Sequence, residues 1–302
     1  MSAGAGAARG LGLQLPLPRG TDLPVLLPAA RRLLEWRAGE IGYGLLGLRL
    51  TAGHGALLVL VFLVSTSAVE AAAGRDQPGV VATLLNWTPQ LLLGFVFNLL
   101  ISVLAMAIGT AAGVFLGLAQ ISLLPPVKKG ASFVTHFFRN APWLVLLFYC
   151  ILLMPFEVRI GGVIVPLPGW AKATAGLALP VMANVAELVR GAVQSIPSGQ
   201  REASEALAFT RLQTLRLVIL PQCVKRMMPP WMNLYAIVVV ATPLTSIVGV
   251  SEAMTLTGDV LSSEGRTELL VPMYLYLLTW FFIYCYPIAR ATVAVERRFA
   301  VR

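Results

Sequence analysis

Between Gln194 and Gln222 the chain reads QSIPSGQREASEALAFTRLQTLRLVILPQ, a polar and patterned segment set between two long apolar stretches. Pro197, Ser198 and Gly199 break any helix that enters it. Gln200 to Leu207 then predicts a short helix, with small and apolar residues beside Glu202 and Glu205. Thr210 followed by Gln213 fits a capping box, in which each side chain satisfies the other's backbone donor, and predicts a second helix running towards Pro221. The expected unit is a helix-turn-helix on a membrane face. A short amphipathic helix carrying two carboxylates can dock a soluble partner or can rest on the lipid surface, and its composition alone leaves both readings open.

Working outward, the rest of the chain is too apolar for a single soluble core. Of 302 residues, 57% are hydrophobic and 12% charged, and the mean hydropathy is +0.79. A helix needs about 20 apolar residues to cross roughly 30 Å of hydrocarbon. Six stretches qualify: about Thr51 to Ala72, Leu91 to Ile121, Ala141 to Phe156, Trp170 to Arg190, Trp231 to Val250 and Leu269 to Arg290. The second exceeds one bilayer thickness, so it should tilt or extend beyond the membrane. The short alternating segments of a transmembrane barrel are missing. The expected fold is therefore an all-α integral membrane protein of about six transmembrane helices. Residues 1-45 form a poorly ordered N-terminal tail, with room for a short amphipathic helix around Pro28 to Arg37; 46-90 hold the first span and a loop; 91-302 hold the main transmembrane domain with the loop 194-222.

The net charge of +9 has no aromatic-interleaved basic patch behind it, so nucleic acid is not an expected partner. Cys150, Cys223 and Cys285 lack a CxxC or a histidine cluster, which supports neither a disulfide framework nor a metal site. Lysine and arginine concentrate in the tail, in the segments after the second and fourth spans, and at the C-terminus; only Arg75, Arg159, Lys172 and Arg266 fall in the alternate segments. Those alternate segments carry Glu70, Asp76, Glu157, Glu252, Asp259, Glu264 and Glu268 instead. Positive residues stay inside, so both termini and the Gln194–Gln222 loop are expected in the cytoplasm, with lipid around the spans.

The loop also resembles a known family, the inner-membrane permeases of binding-protein-dependent ABC importers. Their signature is E-A-A, three residues, Gly, nine residues, I-x-L-P. Glu202, Ala203 and Ser204 stand at E-A-A, and Val218, Leu220 and Pro221 at I-x-L-P, with matching gaps. FFRNAPWLVLLF at 137–148 and AELVRGAVQSIPSGQ at 186–200 look like the branch that imports polar amino acids. The resemblance runs from about Leu91 to Ala300. It departs from the signature at Ala208, where the family has glycine. An alanine forced into the left-handed conformation costs about 1 kcal/mol, so the turn either differs slightly or needs no positive φ.

The resemblance implies the type I importer permease fold in a bacterial inner membrane, and a division of labour. No G-x-x-x-x-G-K-[ST] occurs in the chain, so it supplies no Walker-type phosphate loop and is not the ATPase. A separate ATP-binding subunit would hold ATP and Mg²⁺, this chain binding no cofactor. A second permease, identical or related, would complete the pore, and an extracytoplasmic binding protein would deliver an amino acid. Gln200, Glu202, Ala203, Ser204, Glu205, Ala206, Leu207 and Ala208 would form the coupling helix seated in the ATPase, and its movement would rock the spans between two states.

Polar residues within spans are costly in lipid unless they face a partner or water, so they are the guide to a substrate path. Asn98, Ser102, Asn184, Glu187, Asn233, Thr242, Thr245 and Ser246 are the candidates. Glu187 can instead pair with Arg190 one turn on. Pro243 breaks the fifth helix near its middle and frees backbone groups to line a cavity. Gly109, Gly113 and Gly117 recur every four residues, as close helix packing requires. His54 and His136 are read as interfacial, and Trp143, Trp170, Trp231 and Trp280 as anchors or packing groups. An ion-driven secondary transporter would not need the Glu202–Pro221 motif, whereas a membrane scaffold requires no site at all; both stand as alternatives.

Overall fold

The computed structural model of the protein describes residues 78–160 and 162–299, with helical residues scattered between 53 and 67. The predicted tail, the amphipathic helix at Pro28–Arg37 and most of the first span lie outside the described residues. Uninterrupted apolar sequence gives the longest element: α1 (Val80–Gln120) has 41 residues and includes Pro89. At 1.5 Å per residue it is roughly 60 Å long, twice the hydrocarbon thickness. It starts about three turns before the predicted boundary at Leu91, because VVATLLNW is apolar enough to continue the helix.

After a turn come α2 (Pro125–Asn140) and α3 (Trp143–Leu153), bent by 104° at the break. Ala141 and Pro142 are both extended there (ψ 136° and 130°), since a residue before proline is pushed out of the α region. The predicted third span is thus only the second arm of a bent pair. A two-stranded antiparallel hairpin follows, β1 (Glu157–Ile160) and β2 (Val163–Pro166), with Glu157 opposite Pro166; the helical reading of the chain had no strands. Next is α4 (Gly169–Gln194), then α5 (Ser198–Ala206) and α6 (Arg211–Gln213). A π-helical stretch, Thr214–Ile219, leads directly into α7 (Leu220–Ala241). Short α8 (Leu244–Ile247), α9 (Ala253–Glu264), a 3₁₀ turn at Thr267–Leu269 and α10 (Leu270–Phe299) complete the order.

The second loop helix runs towards Pro221, as its sequence predicts, and continues through it. The π turn immediately ahead of Pro221 is a local widening of the helix, the kind of place where a residue with no N–H to give and a bulky ring can be accommodated. Four helical runs among the described residues are long and apolar enough to cross a membrane: α1, α4, Arg211–Ile247 and Thr267–Phe299. The bent α2–α3 pair makes a fifth if taken as one crossing. With the first expected span, this accommodates the architecture read from the sequence.

Side chains set the packing. α1 and α4 run side by side in the same direction, and a Cβ at Gly109, Gly113 or Gly117 would come within 2.6 Å of Val181, the Met182 carbonyl oxygen or Val189 respectively. The glycine stripe therefore brings two backbones together, as predicted. Ile101, Leu147, Leu177, Val181, Val185 and Val238 build the central core around it. Leu93, Phe115 and Leu152 are each at least 72% exposed, the outward apolar surface expected of a chain solvated by lipid. The tryptophans read as packing groups do pack: Trp170 meets Phe97 edge-on, Trp280 meets Tyr276 and Phe95, and Trp231 donates to the Thr110 hydroxyl at 2.9 Å. The bundle has a loop end, carrying residues 194–222, and a hairpin end, carrying β1–β2.

Three charged residues that the sequence reading placed in the alternate segments are buried: Lys172, Glu252 and Arg266, the last 8% exposed. Lys172 is 2% exposed; its ammonium donates to the Met154 carbonyl at 3.0 Å and sits 4.0 Å over the Phe156 ring. Glu252 is 0% exposed.

Candidate functional site

At the loop end, Pro197 is the N-cap of α5 and Leu207 its C-cap. Ala208 follows with a φ of 58°, the left-handed region. The Phe209 N–H donates to the Ser204 carbonyl at 3.0 Å and the Ala208 N–H to the Glu205 carbonyl at 2.9 Å. These two bonds are the Schellman closure, so the turn keeps the geometry that normally takes glycine. One residue later the capping box is present: the Gln213 N–H donates to Thr210 Oγ1 at 3.3 Å, and the Thr210 N–H to Gln213 Oε1 at 2.8 Å. Only Phe209 separates the closure of α5 from the cap of α6, which makes the turn stiff.

Within α5 only Ser204 is buried, its hydroxyl donating to the Gln200 carbonyl at 2.7 Å. Gln200, Glu202, Ala203, Glu205, Ala206 and Leu207 all face outward, Leu207 at 71% exposure. The roots of this knob are firm. Ala192, Val193 and Ile196 at the end of α4 pack on Ile219 and Cys223 where α7 begins. Arg226 donates to the Ser195 carbonyl at 2.6 Å and to its hydroxyl at 2.8 Å, and Gln222 reaches Gln200 Oε1 at 3.4 Å. The α4 and α7 ends on either side of α5 are thus packed and bonded to each other, and Gln200 links α5 to α7.

The second polar constellation lies where α7 stops. Thr242 is its C-cap, Pro243 follows, and Gly249 takes a φ of 83° that lets the chain reverse before α9. Asn98, near the middle of α1, is 0% exposed and holds both sides of the break. Its Nδ2 donates to Thr242 Oγ1 at 2.9 Å and to Glu252 Oε2 at 2.7 Å, while its Oδ1 accepts the Ala253 N–H at 3.0 Å. Glu252 in turn caps α9, accepting the Met254 and Thr255 N–H groups at 3.0 and 3.1 Å. Helix α7, continued by the short α8, is thus followed by an irregular segment, residues 248–252, and then α9; irregular backbone at membrane depth is tolerated where it is buried in protein. Gly94 permits the contact: a Cβ there would lie 2.8 Å from the Ala253 backbone.

Of the path candidates, the structure brings Asn98, Thr242 and Thr245 together; Thr245 is buried and its hydroxyl donates to the Thr242 carbonyl at 2.8 Å. Ser246 is adjacent, bonded to the Pro243 carbonyl. Ser102 is buried one turn beyond Asn98 and donates to the Leu99 carbonyl. Asn184 lies apart on α4, donating to the Pro180 carbonyl at 2.8 Å, and Asn233 is exposed on α7. Glu187 forms an ion pair with Arg190 on its own helix and a longer one, 3.7 Å, with Arg139 of α2. The sequence reading missed Glu252. Its usable signal was the apolar character of VGVSEAMTL at 248–256, unusual for a loop exposed to water.

The comparisons with known proteins decide the family. Residues 109–300 match the model of the binding-protein-dependent transport system inner membrane component. The chain belongs to this family. It is accordingly a membrane-spanning permease component, distinct from the ATPase that drives such systems. It is 29% identical over 206 residues to the inner membrane amino-acid ABC transporter permease protein YhdY of Escherichia coli, covering 68% of this chain and 55% of that one. The probable glutamine ABC transporter permease protein GlnM of Bacillus subtilis is 27% identical, covering 68% of this chain and 91% of its own length. Among solved structures, an amino acid ABC transporter crystallised with histidines superposes with a TM-score of 0.62 at 26% identity, over 71% of this chain and 96% of that one. The MetNI methionine transporter shares the fold at a TM-score of 0.53 and 22% identity, over 70% of this chain and 94% of that one. The chain spans little more than half the length of YhdY.

Proposed function

We propose that this permease moves amino acids inward as part of an ATP-driven, binding-protein-dependent importer. The observation that carries the proposal is α5: a short, outward-facing helix closed at its C-terminal end by a Schellman turn and set between the ends of α4 and α7, which pack on each other. Such a shape suits a knob in a cleft of a soluble subunit better than a helix lying flat on lipid. The lysine and arginine distribution supports a cytoplasmic position for this end and for both termini. An ATP-binding subunit holding ATP and Mg²⁺ would receive α5, a second permease would complete the pore, and a binding protein would dock at the hairpin end. The amino acid class rests on the named relatives.

Movement of α5 would tilt α4 and α7 as a pair. The break at 242–252 is where α7 and α9 can change their angle, so the substrate path is proposed to pass it, with Asn98, Thr242, Thr245 and Ser246 beside the path and Asn184 and Glu187 farther towards the cytoplasm. The test is reconstitution of the chain with its ATPase and binding protein in proteoliposomes, followed by uptake of a panel of labelled amino acids. Uptake that requires ATP and the binding protein supports the reading. Uptake by the chain alone, driven by an ion gradient, replaces it with a secondary transporter; no uptake under either condition leaves the scaffold reading.

A further inference from the structure

Helix α2 has three chemically distinct sides. One side is inward: Ala131 and Thr135 are its buried residues, and the Thr135 hydroxyl accepts a bond from Gln120 Nε2 at 2.8 Å. A second is apolar and outward: Phe133 and Phe137, four residues apart, are 71% and 57% exposed and stack with centroids 6.3 Å apart. Leu123 and Leu124, just before α2, extend the exposed apolar surface. The third is basic: Lys128 and Arg139, and Lys129 and His136, fall on one stripe by helical spacing, and all four are exposed. Arg139 has Glu187 as a partner, but neither lysine has an ion pair among the described residues. No Asp or Glu stands between Asp76 and Glu157. The 104° bend before α3 turns this helix away from the direction of the arm that follows it.

We propose that α2 is a docking face for anionic lipid of the cytoplasmic leaflet, with Phe133 and Phe137 in the acyl region and Lys128 and Lys129 on the headgroup phosphates. An interfacial helix needs an apolar side to enter the bilayer and a basic side to favour anionic headgroups over zwitterionic ones, and α2 supplies both. The placement in the cytoplasmic leaflet rests on the orientation proposed above; the lipid preference itself does not depend on transport.

The experiment is native mass spectrometry of the full chain taken from membranes of phosphatidylcholine and phosphatidylglycerol in equal parts, reading the ratio of the two lipids retained. The wild type should retain phosphatidylglycerol in excess, with about a fivefold contribution from each lysine. K128Q/K129Q should lose that excess, K128R/K129R should keep it, and R297Q/R298Q, a basic pair on the exposed surface of α10 near the same end, should keep it too. Equal retention of both lipids by the wild type overturns the proposal. So does an undiminished excess in K128Q/K129Q, or an equal loss in the two glutamine pairs, which would make the attraction a general effect of net charge. Failure of amino acid uptake in the separate reconstitution would leave these lipid ratios unchanged, so the two proposals fail independently.

Discussion

Ala208 occupies a conformation that usually takes glycine, because two backbone N–H groups, its own and that of Phe209, close α5 only with a left-handed residue between them. The Cβ strain is accepted to keep the turn. Ala208→Gly should therefore raise stability by about 0.5 to 1 kcal/mol, read as a shift in the midpoint of chemical unfolding of the purified chain. No gain would mean that the alanine is unstrained. Sequence located this position by motif spacing, but whether the alanine bends to the turn or the turn to the alanine could not be read there, since local propensity and the Schellman bonds pull in opposite directions. Asn98 is the other residue on which much hangs. Asn98→Ala strips a bond from the buried Glu252 carboxylate and orphans the Ala253 N–H. Each buried group so left unpaired costs about 1 to 3 kcal/mol, so the variant should lose roughly 2 to 6 kcal/mol and its α9 amides should exchange hydrogen faster. Unchanged exchange in α9 would show that Asn98 does not hold the break together.

At the scale of elements, the α1–α4 contact is decided by three glycines one turn apart. Gly113→Ala puts a methyl group 2.6 Å from the Met182 carbonyl, too close for either backbone to ignore. Overpacking of this kind costs about 1 to 3 kcal/mol, whereas the same change at Gly130, with open space around its Cβ position, should not. Indeed, Gly130→Ala should stabilise α2 slightly through helix propensity. Unfolding of both variants in detergent compares the two directly; equal effects would remove the close-packing account. This stripe was legible in sequence because helical periodicity is local. The broken span was half legible: Pro243 marked the break, but the return of the chain through Glu252 depends on Asn98, more than 150 residues away, and no local pattern carries that pairing. The bend between α2 and α3 was missed for a related reason. Apolar residues alone say how much helix a bilayer can hold, and not at what angle two arms meet.

At the scale of the molecule, the charge distribution, the order of the spans and the family motif all point the same way, and this consistency is what made the fold readable from residue types. The loop at 194–222 was readable because its helix boundaries are written in local sequence: Pro197 before α5, Thr210 and Gln213 around α6. What remained hidden was the packing at its two ends, the small apolar cluster of Val193, Ile196, Ile219 and Cys223 and the Arg226–Ser195 bonds, which tie the end of α4 to the start of α7 on either side of α5. On the proposed reading, α5 acts as a lever between these two packed ends. The central claim is that this lever transmits ATP-driven motion through the exposed face of α5. It is tested most directly by the ratio of amino acid taken up to ATP hydrolysed in the reconstituted complex, wild type against Glu202→Lys. Glu202 is exposed and has no ion pair among the described residues, so the fold should survive the change. The account predicts normal insertion, a loss of uptake of at least tenfold, equivalent to about 1.4 kcal/mol, and loss of the binding protein's stimulation of hydrolysis. Wild-type uptake and wild-type stimulation in Glu202→Lys would contradict it.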